Sequence, residues 1–447
     1  MKALVIHGLR FDSRLTTFQH TLSFARHLNG FEVTYVNGHG LVDEDLLTQT
    51  FDLVIITYEL IALRNTPFWP YIAQRISTLI RNSRVRVVMP QDDYSSSSKL
   101  DDFIVENNIQ HVFSPLTHDL HMIYPRSLKA GVQFSEAFTG YWESGTAVPY
   151  HKYRKDFKNR SIDLGQRVRH LPPQLGPAAQ RKGELAIRFS EEASVRGFSC
   201  DVSTKDSDVL LGDEWWKFLG DTKFTVGRLG GASVVDPHGK LAMKVNQLQL
   251  RNPKISYDEI AKKLHTEKLE QGNFTAISPR LFECAAMGVC QILERDEYFD
   301  DFLPWIHYLP LKPDLSNLEE IFSAMRDTER CSEISYEAEK NLITSGKYSY
   351  SEFIKRLVRT TLAVELDPVL PTRLIDYDEK LFGTLGFDEV EATKKMVRKS
   401  VVWNNRRMIN ESQGLIKLWI DNFSKKNLIV ESLTIPWSSA LVHLAKS

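Results

Sequence analysis

A segment near residue 280 combines a helix start with an arginine and a glutamate. Ser278, Pro279 and Gly288 are the residue types expected at the cap, the first turn and the end of a short helix. Arg280 then lies in the first turn, where its charge opposes the helix dipole unless an anion compensates. A diphosphate would bind the free N–H groups and the guanidinium, while Glu283 on the same face could accept ribose hydroxyls. The alternative is an exposed ion pair that stabilises little.

A glycine-rich stretch is the second candidate phosphate site. A predicted strand over 223–227 runs directly into Arg228, Gly230, Gly231 and Ser233. Glycines allow backbone N–H groups to approach phosphate closely. The spacing matches neither a P-loop nor the dinucleotide fingerprint, so a tight turn without a ligand is the alternative.

Paired carboxylates are the candidates for acid–base chemistry. Asp92 and Asp93 follow a predicted strand over 84–92, where a general base could deprotonate an acceptor hydroxyl. The alternative is that one of them caps the next helix, and the sequence does not distinguish the two. His7, directly after the first predicted strand, is a further catalytic candidate.

The elements that position these residues alternate along the chain. Apolar segments with little polar alternation predict strands covered on both faces, at 2–8, 31–38, 52–60, 84–92 and 111–115. Helices are predicted between them at 13–29, 67–82 and 97–108. In such a sheet, ligands bind beyond the carboxyl ends of the strands, where the candidate residues lie.

A second alternating set follows an irregular stretch over 141–160. Its predicted strands lie at 163–168, 198–202, 223–227, 289–294 and 307–311, and its helices at 183–196, 256–268, 279–287, 317–326 and 333–344. Ser256 and Glu259 form a predicted capping box. The expected fold class is α/β, with two Rossmann-like parallel-sheet domains facing a cleft, at 1–150 and 161–366, and a helical extension at 367–447.

Bulk properties exclude several protein classes. A chain of 447 residues exceeds the usual size of one domain, and a net charge of −1 provides no global field for nucleic acid or anionic lipid. The four cysteines match neither a disulfide framework nor a metal site. Without a signal peptide or an apolar span, we expect a cytoplasmic protein. The first strand leads to His7 and Gly8 and not to GxGxxG, which argues against a nicotinamide dehydrogenase.

The tail contains a basic segment at 394–407. It interleaves cations such as Lys394 and Arg398 with apolar residues such as Trp403. This pattern is compatible with weak peripheral contact with an anionic membrane. The alternative is a helix that packs its apolar face on the rest of the chain.

In this order, the segments resemble the CgeB-like branch of the GT-B glycosyltransferases. The residues that match its motif helix are Arg280, Phe282, Glu283, Ala285 or Ala286, and Gly288, and the similarity continues at 307–311, 317–320 and 346–350. It covers about 161–362. A glutamate of many retaining members is replaced by Thr275, which leaves the stereochemical outcome open.

The resemblance implies a glycosyltransferase that moves a sugar from a nucleotide-sugar donor to a glycan or lipid-linked acceptor, in surface polysaccharide or other glycoconjugate synthesis. The domain at 161–366 would bind the donor through Glu283 on the ribose, and the domain at 1–150 would bind the acceptor. Neither a metal nor a cofactor beyond the donor is expected. A sugar-nucleotide epimerase and a noncatalytic binding protein of the same fold are the alternatives.

Overall fold

The computed structural model describes residues 1–9, 15–38, 44–143, 152–294 and 298–366. This part of the chain contains two parallel sheets with helices between their strands, which confirms the predicted α/β fold class. The predicted extension at 367–447, with its basic segment at 394–407, lies outside the described residues.

The first sheet has six parallel strands in the order β2-β1-β3-β4-β5-β6. They are β1 Lys2–His7, β2 Glu32–Asn37, β3 Phe51–Ile56, β4 Ser83–Val88, β5 His111–Ser114 and β6 Gln133–Glu136. The helices of this part are α1 Leu15–His27, α2 Glu44–Leu47, α3 Tyr58–Ala62, α4 Trp69–Arg81, α5 Ser97–Glu106, α6 Leu120–Ile123 and α7 Pro125–Lys129. Residues 3–6 of β1 and 53–56 of β3 are fully buried, as expected for central strands covered on both faces.

The second part contains a five-stranded parallel sheet in the order β13-β12-β9-β7-β8 and a separate antiparallel pair, β10-β11. Its strands are β7 Ile162–Arg167, β8 Cys200–Ser203, β9 Thr222–Gly227, β10 Gly230–Ala232, β11 Phe274–Ala276, β12 Cys290–Glu294 and β13 Leu309–Leu311. Its helices are α8 Pro177–Val195, α9 Asp213–Gly220, α10 Lys240–Arg251, α11 Tyr257–Leu264, α12 Arg280–Ala286, α13 Leu318–Arg326 and α14 Thr328–Glu339, followed by a π-helical turn at Lys340–Thr344.

The β10-β11 pair joins the two sheets. Ala232, Val235 and Phe274 belong to the same apolar cluster as the interior of β1 and β3. The backbone N–H of Asp236 donates to the carbonyl of Tyr94 at 2.9 Å. The chain after β9 therefore packs against the loop that carries the predicted carboxylates.

The last described helix, α15 at Tyr350–Leu362, packs against the first sheet. Its Phe353 ring stacks on Tyr141 at 4.4 Å between centroids and meets Phe113 edge-on at 6.0 Å. The core of the first domain is thus completed by residues from the far end of the described chain.

Each predicted strand is present, but some boundaries and connections differ. β3 and β4 end at Ile56 and Val88, earlier than predicted, because the chain turns at once into α3 and into the loop before α5. The helix predicted from 183 begins at Pro177, a start that proline at the first position favours. The capping box is confirmed, with Glu259 N 3.2 Å from Ser256 Oγ and Ser256 N 2.8 Å from Glu259 Oε2. The strands β6, β10 and β11 and the helices α2, α3, α6, α7, α9 and α10 were not predicted from the sequence.

Replacing Phe353 should test whether α15 belongs to the first domain's core. Phe353→Ala removes a fully packed aromatic side chain, so we expect a loss of about 3–5 kcal/mol in the free energy of unfolding. The matched change on the same helix, Lys355→Ala, breaks only an ion pair with Glu352 near the surface and should cost less than about 0.5 kcal/mol. Circular dichroism against temperature measures both. Equal midpoints for Phe353→Ala and the wild type would contradict the packing described.

Candidate active site

Arg228 is a buried cation with unused hydrogen-bonding capacity. It directly follows β9 at the carboxyl edge of the second sheet, and its side chain is 9% exposed. Its Nε lies 3.6 Å from Oε1 of Glu294, the last residue of the neighbouring strand β12. Within the described ranges, Nε and Nη1 have no hydrogen-bond partner. Buried N–H groups in that condition favour a bound anion.

Lys182 brings a second cation to the same place. It lies on α8, with its Nζ 3.2 Å from the position that a Cβ atom would take at Gly230. Burial, followed by the charges of Arg280 and Arg228, lowers the pKa of Lys182 to about 7. Three cations therefore share one neighbourhood, and an anion there would relieve their mutual repulsion.

Arg280 is held by two contacts at the start of α12. Its Nη1 donates to Gln166 Oε1 at 2.7 Å, and its guanidinium lies over the Trp215 ring at 5.1 Å from the centroid. Gln166 is itself fixed, because its side-chain amide also donates to the carbonyl of Val226. The sheet thus sets the position of Arg280.

Glu283 contacts the same tryptophan. Its Oε2 accepts a hydrogen bond from Trp215 Nε1 at 3.0 Å. The predicted neighbours Arg280 and Glu283 are therefore brought together on one indole. Their helix has only seven residues. The backbone N–H of Arg280 donates a long hydrogen bond to Ser278 Oγ at 3.4 Å, and the N-cap residue Pro279 provides no side-chain cap. Attraction for an anion therefore rests on the cationic side chains more than on the helix dipole.

Packing accounts for part of the glycine-rich stretch. Gly231 has φ +152° in β10, and a Cβ atom there would lie 2.0 Å from the carbonyl oxygen of Phe274 in β11. Ser233 is buried, and its Oγ accepts from the backbone N–H of Ala178 at the start of α8. Only Gly230 adjoins the cations, beside Lys182. The donor-binding roles predicted for Gly231 and Ser233 stay predictions, and their contacts are those of a tightly packed turn.

The two predicted carboxylates lie in different environments. Asp92 is exposed, with φ +53°, and its Oδ1 accepts from the Tyr94 hydroxyl at 2.6 Å. Asp93 is fully buried, and its Oδ2 accepts from the hydroxyls of Ser114 and Tyr124. Burial raises the pKa of Asp93. Of the two, only Asp92 is accessible to an acceptor in this structure, and the geometry of Asp93 favours a structural role.

Arg64 is the buried cation that accompanies the buried carboxyl group of Asp93. It is completely buried and donates to the backbone carbonyls of Ile61, Asp92 and Ser95. Its charge acts on Asp93. A buried cation and a buried acid thus fix the loop that carries Asp92.

His7 is also an interior residue. It is 1% exposed, and its Nδ1 accepts from the backbone N–H of Leu9 at 3.2 Å. Its catalytic role stays a prediction. Nearby, Glu59 follows β3, and the Oγ1 of Thr21 donates to its Oε1 at 3.0 Å. Burial raises the pKa of Glu59 to about 7.

Four residues around Arg228 and Arg280 were not predicted from the sequence: Lys182, Glu294, Gln166 and Trp215. The predicted helix began at residue 183, so Lys182 fell outside it, whereas α8 begins at Pro177. Gln166 and Glu294 lie at the ends of correctly predicted strands, where the carboxyl-edge rule would have found them. Trp215 has no such signal, since its contacts depend on how α9 packs.

Two features are absent from the described part of the chain, a metal-binding cluster and a membrane-spanning helix. No group of three or more His, Cys, Asp or Glu side chains there is arranged to hold a metal ion. Among the helices of that same part, none is both long enough and apolar enough to cross a bilayer.

Comparisons with known proteins give only distant structural likenesses. Neither a protein-family model nor a curated protein matches the chain. TarM is 12% identical with a TM-score of 0.41, over 71% of this chain and 56% of that one. HepE of Anabaena in complex with UDP-glucose is 9% identical with a TM-score of 0.43, over 80% and 99%.

AviGT4, described as a glycosyltransferase involved in avilamycin A biosynthesis, is 11% identical with a TM-score of 0.38, over 81% of this chain and 98% of that one. All three TM-scores are below 0.5. The fold assignment therefore rests on the two parallel sheets themselves.

Anion binding at the cluster should depend on pH through Lys182. With a pKa of about 7, its ammonium is charged below that pH and neutral above it, so affinity for an anion should fall as the pH rises from 7 to 9. UDP is a suitable probe, since its terminal phosphate has titrated by pH 7, with a pKa of about 6. Isothermal titration should show up to about a tenfold loss per pH unit.

Lys182→Arg keeps the charge at every pH and should flatten this profile, whereas the exposed control Lys217→Arg should leave it unchanged. A flat wild-type profile would show that the Lys182 charge does not act on the anion.

Proposed function

We propose that this protein is a glycosyltransferase that moves a sugar from a nucleotide-sugar donor to an acceptor. The observation that carries the proposal is the buried Arg228, whose Nε and Nη1 lack hydrogen-bond partners in the described structure and lie near other cations at the carboxyl edge of the second sheet. Such an edge is where parallel α/β sheets bind ligands. A diphosphate fits the charge and the hydrogen-bonding geometry of the site.

In this proposal, Arg228, Lys182 and Arg280 bind the donor phosphates. Glu283 lies one turn from Arg280 and accepts hydrogen bonds from the ribose hydroxyls. Glu294 is 3.6 Å from Arg228 and 3.5 Å from Arg181, so it orients these two arginines.

The cations also have a catalytic task. When the bond from the sugar to the diphosphate breaks, its electron pair stays on the phosphate oxygen and adds negative charge. Cations fixed at that oxygen stabilise the transition state more than the ground state. Arg228, Lys182 and Arg280 would supply the positive charge that a divalent metal provides in other nucleotide enzymes. We therefore propose a metal-independent transfer.

Asp92 is our candidate for the base that removes the proton of the acceptor hydroxyl. It is exposed, and the Tyr94 hydroxyl and the carbonyl contact with Arg64 fix its loop. The same loop pairs with Asp236 in the chain that follows Arg228, which links the acceptor side to the donor side.

The finer assignments are part of the same proposal. We infer membership of the CgeB-like branch and a role in polysaccharide or glycoconjugate synthesis from the resemblance at the motif helix. A glycan or lipid-linked acceptor, and membrane contact through residues 394–407, are inferred from the sequence alone.

Loss of the Arg228 charge should weaken donor binding. Arg228→Gln should raise the Kd of the best-binding nucleoside diphosphate, chosen from UDP, GDP, ADP and CDP, by roughly 10- to 150-fold, or about 1.5–3 kcal/mol. The matched change Arg196→Gln removes an arginine that pairs with Glu192 and Glu319 at the surface and should leave the Kd unchanged. Isothermal titration measures both. An unaltered Kd for Arg228→Gln would remove the main support for a donor site.

Asp92→Asn should separate catalysis from binding. We expect donor affinity to stay at the wild-type level and kcat to fall by at least about a hundredfold, because only the base is lost. Asp102→Asn is the control, since Asp102 pairs with Arg126 on the surface of α5. Transfer is followed as nucleoside diphosphate release in the presence of acceptor. Wild-type turnover in Asp92→Asn would place the base elsewhere. Conversion of the nucleotide sugar to its epimer in the absence of acceptor would indicate an epimerase.

A further inference from the structure

Trp215 contacts both of the residues assigned to the two halves of the donor. Its indole Nε1 donates to Glu283 Oε2 at 3.0 Å, and its ring lies under the Arg280 guanidinium, 5.1 Å from the centroid. One rigid side chain from α9 therefore spans the phosphate side and the ribose side of the site.

The position of Trp215 is itself fixed by a series of contacts that ends in the sheet. Its ring packs on Phe218 at 5.8 Å between centroids, with an interplanar angle of 25°. The guanidinium of Arg167, the last residue of β7, lies 4.4 Å from the Phe218 centroid and pairs with Asp201 at 2.8 Å. Trp215 is thus also held by a contact that does not involve Arg280 or Glu283.

We propose that Trp215 is a positioning residue that holds Arg280 and Glu283 in the relative geometry needed to bind a phosphate and a ribose at the same time. The inference rests on the proposed function and adds a source of specificity to it. Trp215 would favour nucleoside diphosphates over diphosphate alone, because its hydrogen bond acts on the ribose side only.

The chemistry of the indole suits this task. The indole nitrogen can only donate a hydrogen bond. It therefore binds the carboxylate and cannot accept a hydrogen bond from a ribose hydroxyl. Its N–H occupies one acceptor position of Oε2 and so restrains the orientation of the Glu283 carboxylate. On the other side, a ring face orients the planar guanidinium of Arg280 without using any of its N–H groups.

The test separates the two contacts of Trp215. Trp215→Phe keeps an aromatic face under Arg280 and loses the N–H donor, whereas Trp215→Leu loses both. Each is measured with UDP and with inorganic pyrophosphate by isothermal titration, and UDP is replaced by GDP, ADP or CDP if one of these binds the wild type more tightly. Thermal unfolding verifies that each variant folds. The matched control is Trp305→Phe, because Trp305 also lies under an arginine, Arg330, at 5.2 Å.

We expect Trp215→Phe to weaken the nucleoside diphosphate by about 5- to 15-fold and pyrophosphate by less than about twofold, because Glu283 keeps its charge and loses only the hydrogen bond that orients it. Trp215→Leu should weaken both ligands. Trp305→Phe should weaken neither.

Glu283→Gln identifies which assignment fails if the result differs. In that background, Trp215→Phe should have little further effect on the nucleoside diphosphate, because the two residues act through one contact. If Glu283→Gln weakens the nucleoside diphosphate but Trp215→Phe does not, the positioning role is overturned and the proposed function stands. If Glu283→Gln itself has no effect, the ribose assignment fails and the inference fails with it. Equal losses of both ligands in Trp215→Phe would indicate a merely structural tryptophan.

Discussion

The repulsion among buried cations at one edge of the second sheet is the constraint on which the candidate site depends. Lys182, Arg228 and Arg280 come from three elements that are far apart in sequence, and burial together with the two neighbouring arginines lowers the pKa of Lys182 where they meet. Glu294 compensates only part of this charge, at 3.6 Å from Arg228. A fold keeps such an arrangement at a cost in stability, and an anionic ligand recovers that cost when it binds.

The first domain handles buried charge differently. Arg64 is fully buried, more deeply than Arg228, and backbone carbonyls and Asp93 satisfy it. This difference separates a structural cation from a candidate for anion binding. The same difference divides Asp93, whose Oδ2 accepts two hydroxyls, from Asp92, which is exposed one residue earlier.

Much of the fold could be predicted from the sequence because buried parallel strands are continuous apolar runs bounded by turns. The site was only partly predictable. Arg280, Glu283 and Arg228 could be named because they lie beside helix and strand ends, which local signals mark. Lys182 and Trp215 could not, since their importance arises from tertiary packing of α8 and α9. Gly231 and Ser233 were also named from local spacing, and their donor-binding roles stay predictions, because a close approach of β11 and α8 demands small residues there just as phosphate would.

The contacts of α15 and of the β10-β11 pair also have a consequence for biosynthesis. The interior around the first sheet includes Phe274 from β11 and residues up to Val358 from α15. Domains usually fold in order as the ribosome releases them, but this one lacks part of its core until those later residues have emerged. Its apolar surface, including the neighbourhood of Phe113 and Tyr141, therefore stays uncovered during most of translation. The first domain to be synthesised is in this way among the last to be completed.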